Sequence, residues 1–310
     1  MVLLANANPT TDGSAYSFLS QVNSEIPIVL VSKAPDFKFN EELLKLDKYV
    51  LVCFVEYGWN WNFITSHIWG ENTGLFLDSF DNKEEYVRFD DFVKSNPPIL
   101  QFKRELFKPD VRENLLPIEY PAWYEPATIQ PKGEFNSRSI EVFFNWGLSN
   151  EKRKWLHADI WKDSSKYGYS VCDNLYHLHK FLSEEQGKKW VTTNIPHYAR
   201  IEIEKVLSVN GLSKISISPP GAGLKCFRHS EASLNSVMAM PSHDLAWSYK
   251  WEDGVNCIEY KEAFAIETIQ DYLQQKNLYD LYVAGVENAK NYYLPNYIKN
   301  YIEPTIKQFL

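Results

Sequence analysis

Two basic residues and one acidic residue follow one another at three-residue steps, at Lys225, Arg228 and Glu231. On a helix this spacing places the three side chains along one side. Lysine and arginine are the side chains that bind phosphate groups. A glutamate at the edge of a buried face needs hydrogen-bond donors, which the hydroxyls of a ribose or another sugar can supply. The three residues therefore predict a site for a ligand that carries both phosphate and sugar.

A strand, a Pro/Gly loop and a helix are expected to position these side chains. The predicted order is a buried strand over 214–218, a loop over 219–223, a helix over about 225–237 and a second strand over 238–242. The first turn of a helix has N–H groups without intrahelical partners, and together with the helix dipole they favour an anion. Glycine lets the backbone approach a ligand closely. The loop residues expected to line the site are Pro220, Gly221, Ala222 and Gly223. For Arg228 or Glu231 taken alone, a solvated charge on an ordinary strand–helix–strand unit is an equal alternative.

The stretch SISPPGAGLKCFRHSEA resembles the C-terminal nucleotide-binding half of GT-B glycosyltransferases, especially the exostosin-like group. The resemblance covers about a tenth of the chain. It implies an α/β protein with two Rossmann-like domains facing a cleft. Gly223 stands where retaining enzymes of this kind carry the first Glu of a Glu-x7-Glu motif, and Asn235-Ser236 replace their small-residue-Gly pair. These departures favour an inverting mechanism.

The same resemblance implies further donor contacts in the second domain. Gly147, in the loop after a predicted strand over 139–144, and Arg153, in the helix that follows, match positions that contact the donor diphosphate. Asn194 and His197 lie in a loop that would be near the nucleotide base. A solvated helix face remains the alternative for the neighbouring Lys152 and Lys154.

The N-terminal half alternates apolar strands, predicted over 2–5, 26–31 and 49–55, with short helices. Continuous apolar strands of this kind indicate a parallel sheet covered on both faces. An inverting transfer needs a base that takes the proton from the acceptor hydroxyl, and in GT-B enzymes that base belongs to the N-terminal domain. The candidates are Asp12, Glu56 and His67, followed by Asp78 and Asp81. For each of them a structural role is the alternative.

The domain organisation expected from these patterns has three parts. Residues 1–130 form an acceptor-side Rossmann-like domain, 131–290 a nucleotide-sugar-binding domain, and 291–310 a terminal helix that crosses back to the first domain. The proline-rich segment 109–131 is predicted to be the linker and the wall of the cleft, because proline at this density breaks regular structure.

Composition excludes several classes of protein. The 310 residues carry a formal net charge of −8 and no dense Lys/Arg run, which argues against nucleic-acid binding. The four cysteines lack metal-site spacing, so we expect reduced thiols and no metal. No apolar run is long enough to span a bilayer, and no basic region precedes MVLLANANP. The expectation is a cytoplasmic enzyme from a bacterium or a virus, and the alternative is a trimmed form of a longer, membrane-anchored enzyme.

The function predicted from the sequence is metal-independent transfer of a sugar from a UDP- or GDP-linked donor to a glycan or glycoprotein acceptor. The second hypothesis is a non-catalytic nucleotide- or glycan-binding protein on the same scaffold. An NAD-dependent enzyme is disfavoured because the first loop, NANPTTDG, lacks the GxGxxG spacing.

Overall fold

The computed structural model describes residues 1–5, 13–31, 38–54, 83–144, 156, 169–171, 190–192, 203–220 and 224–310. These residues form two parallel β-sheets with helices packed against them. The expected fold class, α/β with two Rossmann-like domains, is confirmed. The boundaries of the domains stay a prediction.

The N-terminal sheet has five parallel strands in the order β1-β2-β3-β4-β5. Its two central apolar strands, β2 and β3, are buried along their whole length, as expected for a parallel sheet with both faces covered. The bounds are β1 Val2–Leu4, β2 Ile28–Val31, β3 Val50–Cys53, β4 Leu100–Lys103 and β5 Leu115–Pro117.

The C-terminal sheet has six parallel strands in the order β11-β10-β9-β6-β8-β7. After β6 the chain forms β7 at one edge and then β8 between β6 and β7, and β9 follows on the other side of β6. In open α/β sheets the crevice at such a reversal, beyond the carboxyl ends of the strands, is where ligands bind. The bounds are β6 Ile140–Phe144, β7 Tyr169–Val171, β8 Trp190–Thr192, β9 Ser213–Ile217, β10 Val237–Pro241 and β11 Ile258–Tyr260.

The described helices connect these strands and end the chain. Their bounds are α1 Gly13–Leu19, α2 Lys83–Ser95, α3 Lys132–Asn136, α4 Ile203–Gly211, α5 Phe227–Ser233, α6 Ala265–Gln274, α7 Leu278–Tyr292, α8 Leu294–Tyr297 and α9 Glu303–Lys307, with a π-helical turn at Ile298–Ile302 between the last two. Short 3-10 turns lie at Glu41–Lys45, Lys108–Asp110 and Glu262–Phe264. None of the helices described is long and apolar enough to cross a membrane.

Three local predictions differ from the structure. The segment 109–131 was expected to be a linker, but it contains β5, an edge strand whose last residue is a proline, which an edge tolerates. Strand β11 was not predicted. Helix α5 is shorter than the expected 225–237, because it begins after Cys226 and ends before a turn that leads into β10.

The two sheets share one apolar core. Phe54 and Phe102 of the N-terminal sheet belong to the same buried cluster as Met238, Tyr292 and Tyr297 from the other half of the chain. The end of the chain is tied to the N-terminal sheet by hydrogen bonds as well. Tyr301 donates its hydroxyl to the carbonyl of Pro117 at 2.7 Å. The halves are therefore joined by buried apolar contacts and not only by the connecting chain.

Two glycines give a matched test of helix packing. A Cβ at Gly285, in α7, would lie 2.8 Å from the backbone oxygen of Asn256, whereas a Cβ at Gly133, in α3, would meet nothing within 4 Å. We expect Gly285→Ala to lower the free energy of unfolding by about 1–3 kcal/mol, because backbone cannot move aside easily. Gly133→Ala should leave it unchanged or raise it by up to about 1 kcal/mol. Urea unfolding measures both. Equal stability of the two variants would contradict the packing of α7.

Candidate functional site

A small recess lies where the strand order of the C-terminal sheet reverses. We call it the switch-point recess, and its lining residues are Phe143, Val206, Asn210, Ser216, Ile217, Arg228, Glu231 and Ala232. They come from β6 and β9 and from the helices α4 and α5 that flank them. The cavity volume of about 20 Å³ is enough for about one water molecule. A larger ligand would therefore lie over the recess and reach into it with single groups.

The carboxylate of Glu231 has no hydrogen-bond donor among the described residues. It lies in α5 and lines the recess. Burial raises the pKa of Glu231, and the positive charge of Arg228 opposes that rise. Its backbone carbonyl accepts a hydrogen bond, but no donor to its carboxylate is found among the described residues. A desolvated carboxylate of this kind is costly unless hydrogen-bond donors reach it.

A polar network beneath the recess fixes the backbone that carries Glu231. Asn210 donates its side-chain N–H to the carbonyl of Glu231 at 3.2 Å. Ser216 donates its hydroxyl to Asn210 Oδ1 at 2.8 Å, and Ser236 Oγ lies 2.7 Å from Ser216 Oγ. Each of these side chains is buried. Helices α4 and α5 are thereby held at a set position over β9.

Arg228 lies one helical turn before Glu231 and lines the same recess. The i, i+3 spacing therefore brings an arginine and a glutamate to one side of α5, as the sequence predicts. Arg228 is only partly buried. This side of the helix therefore combines a positive charge with an acceptor that has no donor among the described residues.

Lys225 is placed differently from Arg228 and Glu231. It precedes the N-cap of α5, Cys226, so helical spacing does not govern its direction. Its side chain is only 1% exposed, and Nζ donates to Glu119 Oε1 at 2.6 Å and to the carbonyl of Ala246. Burial lowers the pKa of Lys225, and the charge of Glu119 opposes that. The geometry gives Lys225 a structural role, with its amine away from the switch-point recess.

Two acidic residues that follow strands of the N-terminal sheet, Glu105 after β4 and Glu119 after β5, bind the segment that leads into α5. The carboxylate of Glu119 accepts hydrogen bonds from the Ser248 hydroxyl and, at 2.9 Å, from the Tyr297 hydroxyl, in addition to the bond from Lys225. The carboxylate of Glu105 accepts from the backbone N–H of Leu224 at 3.2 Å and of Lys225 at 3.3 Å. Backbone N–H groups at the start of this helix were predicted to bind an anion of a ligand, and here the anion is the carboxylate of Glu105. Of the two basic side chains in this segment, Arg228 lines the recess and Lys225 does not.

Several predicted site residues lie outside the described residues, and their roles stay predictions. They are Asp12, Glu56, His67, Asp78, Asp81, Gly147, Arg153, Asn194, His197, Gly221, Ala222 and Gly223. Pro220 is described and buried, at the carboxyl end of β9 where the loop begins. Within the described ranges no group of three or more His, Cys, Asp or Glu residues is placed to hold a metal ion.

Asn210, Ser216 and Tyr124 were not predicted to belong to the site. Asn210 and Ser216 had a signal, since they are polar residues inside an apolar helix and an apolar strand. Tyr124 had none, because its position beside the recess depends on a hydrogen bond to Glu204, far along the chain.

No protein-family model matches the chain, and no curated protein sequence matches it significantly. Solved structures that are similar to it in fold include the following three. The pneumococcal O-GlcNAc transferase GtfA in complex with UDP and GlcNAc is 8% identical, with 96% of this chain and 59% of that chain covered and a TM-score of 0.47. TarM is 14% identical, with 95% and 56% covered and a TM-score of 0.43. The UDP-forming α,α-trehalose-phosphate synthase from Burkholderia xenovorans, in complex with glucose-6-phosphate, is 9% identical, with 94% and 75% covered and a TM-score of 0.49. The chain thus spans less than two thirds of the length of the first two.

The buried ion pair between Lys225 and Glu119 should contribute more to stability than an ion pair on the surface. Lys225→Met should lower the free energy of unfolding by about 3–5 kcal/mol, because it leaves Glu119 buried without its counter-charge. The double variant Lys225→Met/Glu119→Gln should recover part of that loss. Lys45→Met, which removes the exposed pair with Glu42, should cost about 1 kcal/mol or less. Chemical denaturation compares the three. A loss at Lys225 no larger than at Lys45 would contradict the structural role.

The raised pKa of Glu231 predicts how its charge affects stability as pH changes. The folded state holds this proton more tightly than the unfolded state, so stability falls as pH rises from about 4.5 through the raised pKa. A glutamine at this position stays uncharged at every pH, so Glu231→Gln should be at least as stable as the wild type at neutral pH. Thermal unfolding from about pH 4.5 to neutral pH measures this, with exposed Glu267→Gln as control. A Gln variant that loses stability relative to wild type as pH rises would be contrary evidence.

Proposed function

We propose that the protein is a glycosyltransferase of the GT-B type that moves a sugar from a nucleotide-diphosphate donor to a carbohydrate hydroxyl. The observation that carries the proposal is the desolvated carboxylate of Glu231, which has no described donor and lies beside Arg228 at the switch point of a parallel sheet. A ligand with both hydroxyl donors and negative charge suits this pair. A nucleoside diphosphate has both, since its ribose carries hydroxyls and its phosphates are anionic.

In this proposal Arg228 binds the diphosphate and Glu231 accepts hydrogen bonds from sugar hydroxyls. When the bond between the anomeric carbon and the diphosphate oxygen breaks, the leaving group gains negative charge. A positioned guanidinium stabilises that charge more in the transition state than in the ground state. Arg153 and the backbone of Gly147 and Gly221–Gly223 are proposed to act on the same phosphates. The reaction proposed here requires no divalent ion.

The acceptor side is proposed to lie on the N-terminal half. Asp12, Glu56 or His67 would take the proton from the acceptor hydroxyl as its oxygen attacks the anomeric carbon, with inversion of configuration. The donor is proposed to be linked to UDP or GDP, with Asn194 near its base, and the acceptor to be a glycan or glycoprotein.

Titration of UDP and GDP into wild type and Arg228→Ala tests the phosphate contact. Loss of a hydrogen bond to a charged group should weaken binding by about tenfold or more. Arg112→Ala, which removes an exposed arginine elsewhere, is the matched control and should bind like the wild type. Equal affinity of all three proteins would remove Arg228 from the site.

Turnover separates the enzyme from a binding protein. With a nucleotide-sugar donor and a panel of glycan acceptors, the wild type should release nucleoside diphosphate, and Glu231→Gln should lower kcat/KM by about tenfold or more while remaining folded. A wild type that binds donor but releases none of it, with any acceptor, would favour the non-catalytic alternative.

A further inference from the structure

Tyr124 is an exposed aromatic side chain beside the switch-point recess. It lies between β5 and α3, and 36% of it is exposed. Its hydroxyl donates to Glu204 Oε1 at 3.2 Å. Glu204 is in the first turn of α4, the helix that lines the recess with Val206 and Asn210. The phenol ring is therefore anchored to one wall of the recess.

Tyr124 interacts electrostatically with Glu231. Desolvation raises the pKa of Tyr124, and the hydrogen bond to Glu204 and the charges of Glu204 and Glu231 raise it further. Glu231 in turn feels the charge of Arg228. Glu231 is thus within electrostatic reach of both Arg228 and Tyr124. A ligand that spans the site would meet a cation, a carboxylate and an aromatic ring.

The backbone on both sides of Tyr124 is fixed. Ala122 donates its N–H to the carbonyl of Tyr292 at 2.8 Å and accepts from Leu294 at 2.9 Å. Ala127 donates to the carbonyl of Leu234, the C-cap of α5, at 3.0 Å. Proline precedes this short stretch at Pro121 and restricts it further. A ring on such a segment is held in place before a ligand arrives, which lowers the entropic cost of binding.

We propose that Tyr124 stacks on the nucleobase of the donor and so helps to select it. The inference rests on the proposed function, in which Arg228 binds phosphate and Glu231 binds ribose. The group that follows ribose in such a ligand is a flat, uncharged ring, and aromatic side chains stack on every base. The acidic surroundings, Glu204 and Glu231, disfavour a phosphate at this position and leave the neutral base as the part of the ligand that fits.

Binding of a nucleoside diphosphate and of pyrophosphate tests the assignment, because pyrophosphate lacks the base. For whichever of UDP and GDP binds the wild type more tightly, Tyr124→Ala should raise Kd by about tenfold or more, with pyrophosphate affinity unchanged. Tyr124→Phe keeps the ring and loses the bond to Glu204, so it should bind close to wild type. Trp123→Ala removes a neighbouring aromatic of similar exposure, 40%, and should have no effect.

Two results for Tyr124→Ala would overturn the inference. One is unchanged affinity for the nucleotide. The other is an equal loss for nucleotide and pyrophosphate, which would indicate a general disturbance of the site. Failure of the proposed function would be visible in the wild type itself, which would then bind neither ligand, and this would overturn both proposals.

Discussion

The buried ion pair between Lys225 and Glu119 fixes the start of α5, the helix that carries Arg228 and Glu231. Both side chains are almost fully buried, at 1% and 5% exposure. Such a pair is stable only when further hydrogen bonds satisfy both partners. The carbonyl of Ala246 satisfies the amine, and the hydroxyls of Ser248 and Tyr297 satisfy the carboxylate. This set of contacts joins the segment after β5, the residue before the N-cap of α5, and α8.

The position of α5 follows from this contact. Because Lys225 is anchored by Glu119 and α5 begins two residues later, the start of the helix is held in place. Asn210 then holds the backbone at Glu231 from the other side. The two sides of α5 therefore differ in their charges. The face toward the N-terminal sheet has its charges paired, whereas the face toward the recess keeps a desolvated carboxylate.

The strand–loop–helix–strand unit and the Arg228–Glu231 pair could be predicted because both depend on local pattern. Short apolar runs indicate buried strands, and i, i+3 spacing indicates a shared helix face. The role of Lys225 could not be predicted, because it depends on where the helix begins, and Cys226 makes no side-chain cap that would reveal that point. Its partner, Glu119, lies 106 residues earlier in the chain.

The same reason explains the missed strands. Strands β5 and β11 have three residues each and form by pairing with a neighbouring parallel strand, β4 or β10. The proline-rich sequence around β5 also carried a strong local signal for a loop. Tyr124 and Glu204 are a further case of long-range contact that no local spacing encodes.

If the recess-facing side of α5 is a nucleotide site, a bound nucleoside diphosphate must lie there. The most direct measurement is a crystal structure with a nucleoside diphosphate bound. The account predicts phosphate oxygens within hydrogen-bond distance of Arg228, ribose hydroxyls at the Glu231 carboxylate, and an undisturbed pair between Lys225 and Glu119. A nucleotide bound elsewhere on the protein, with Glu231 still without a ligand, would contradict it.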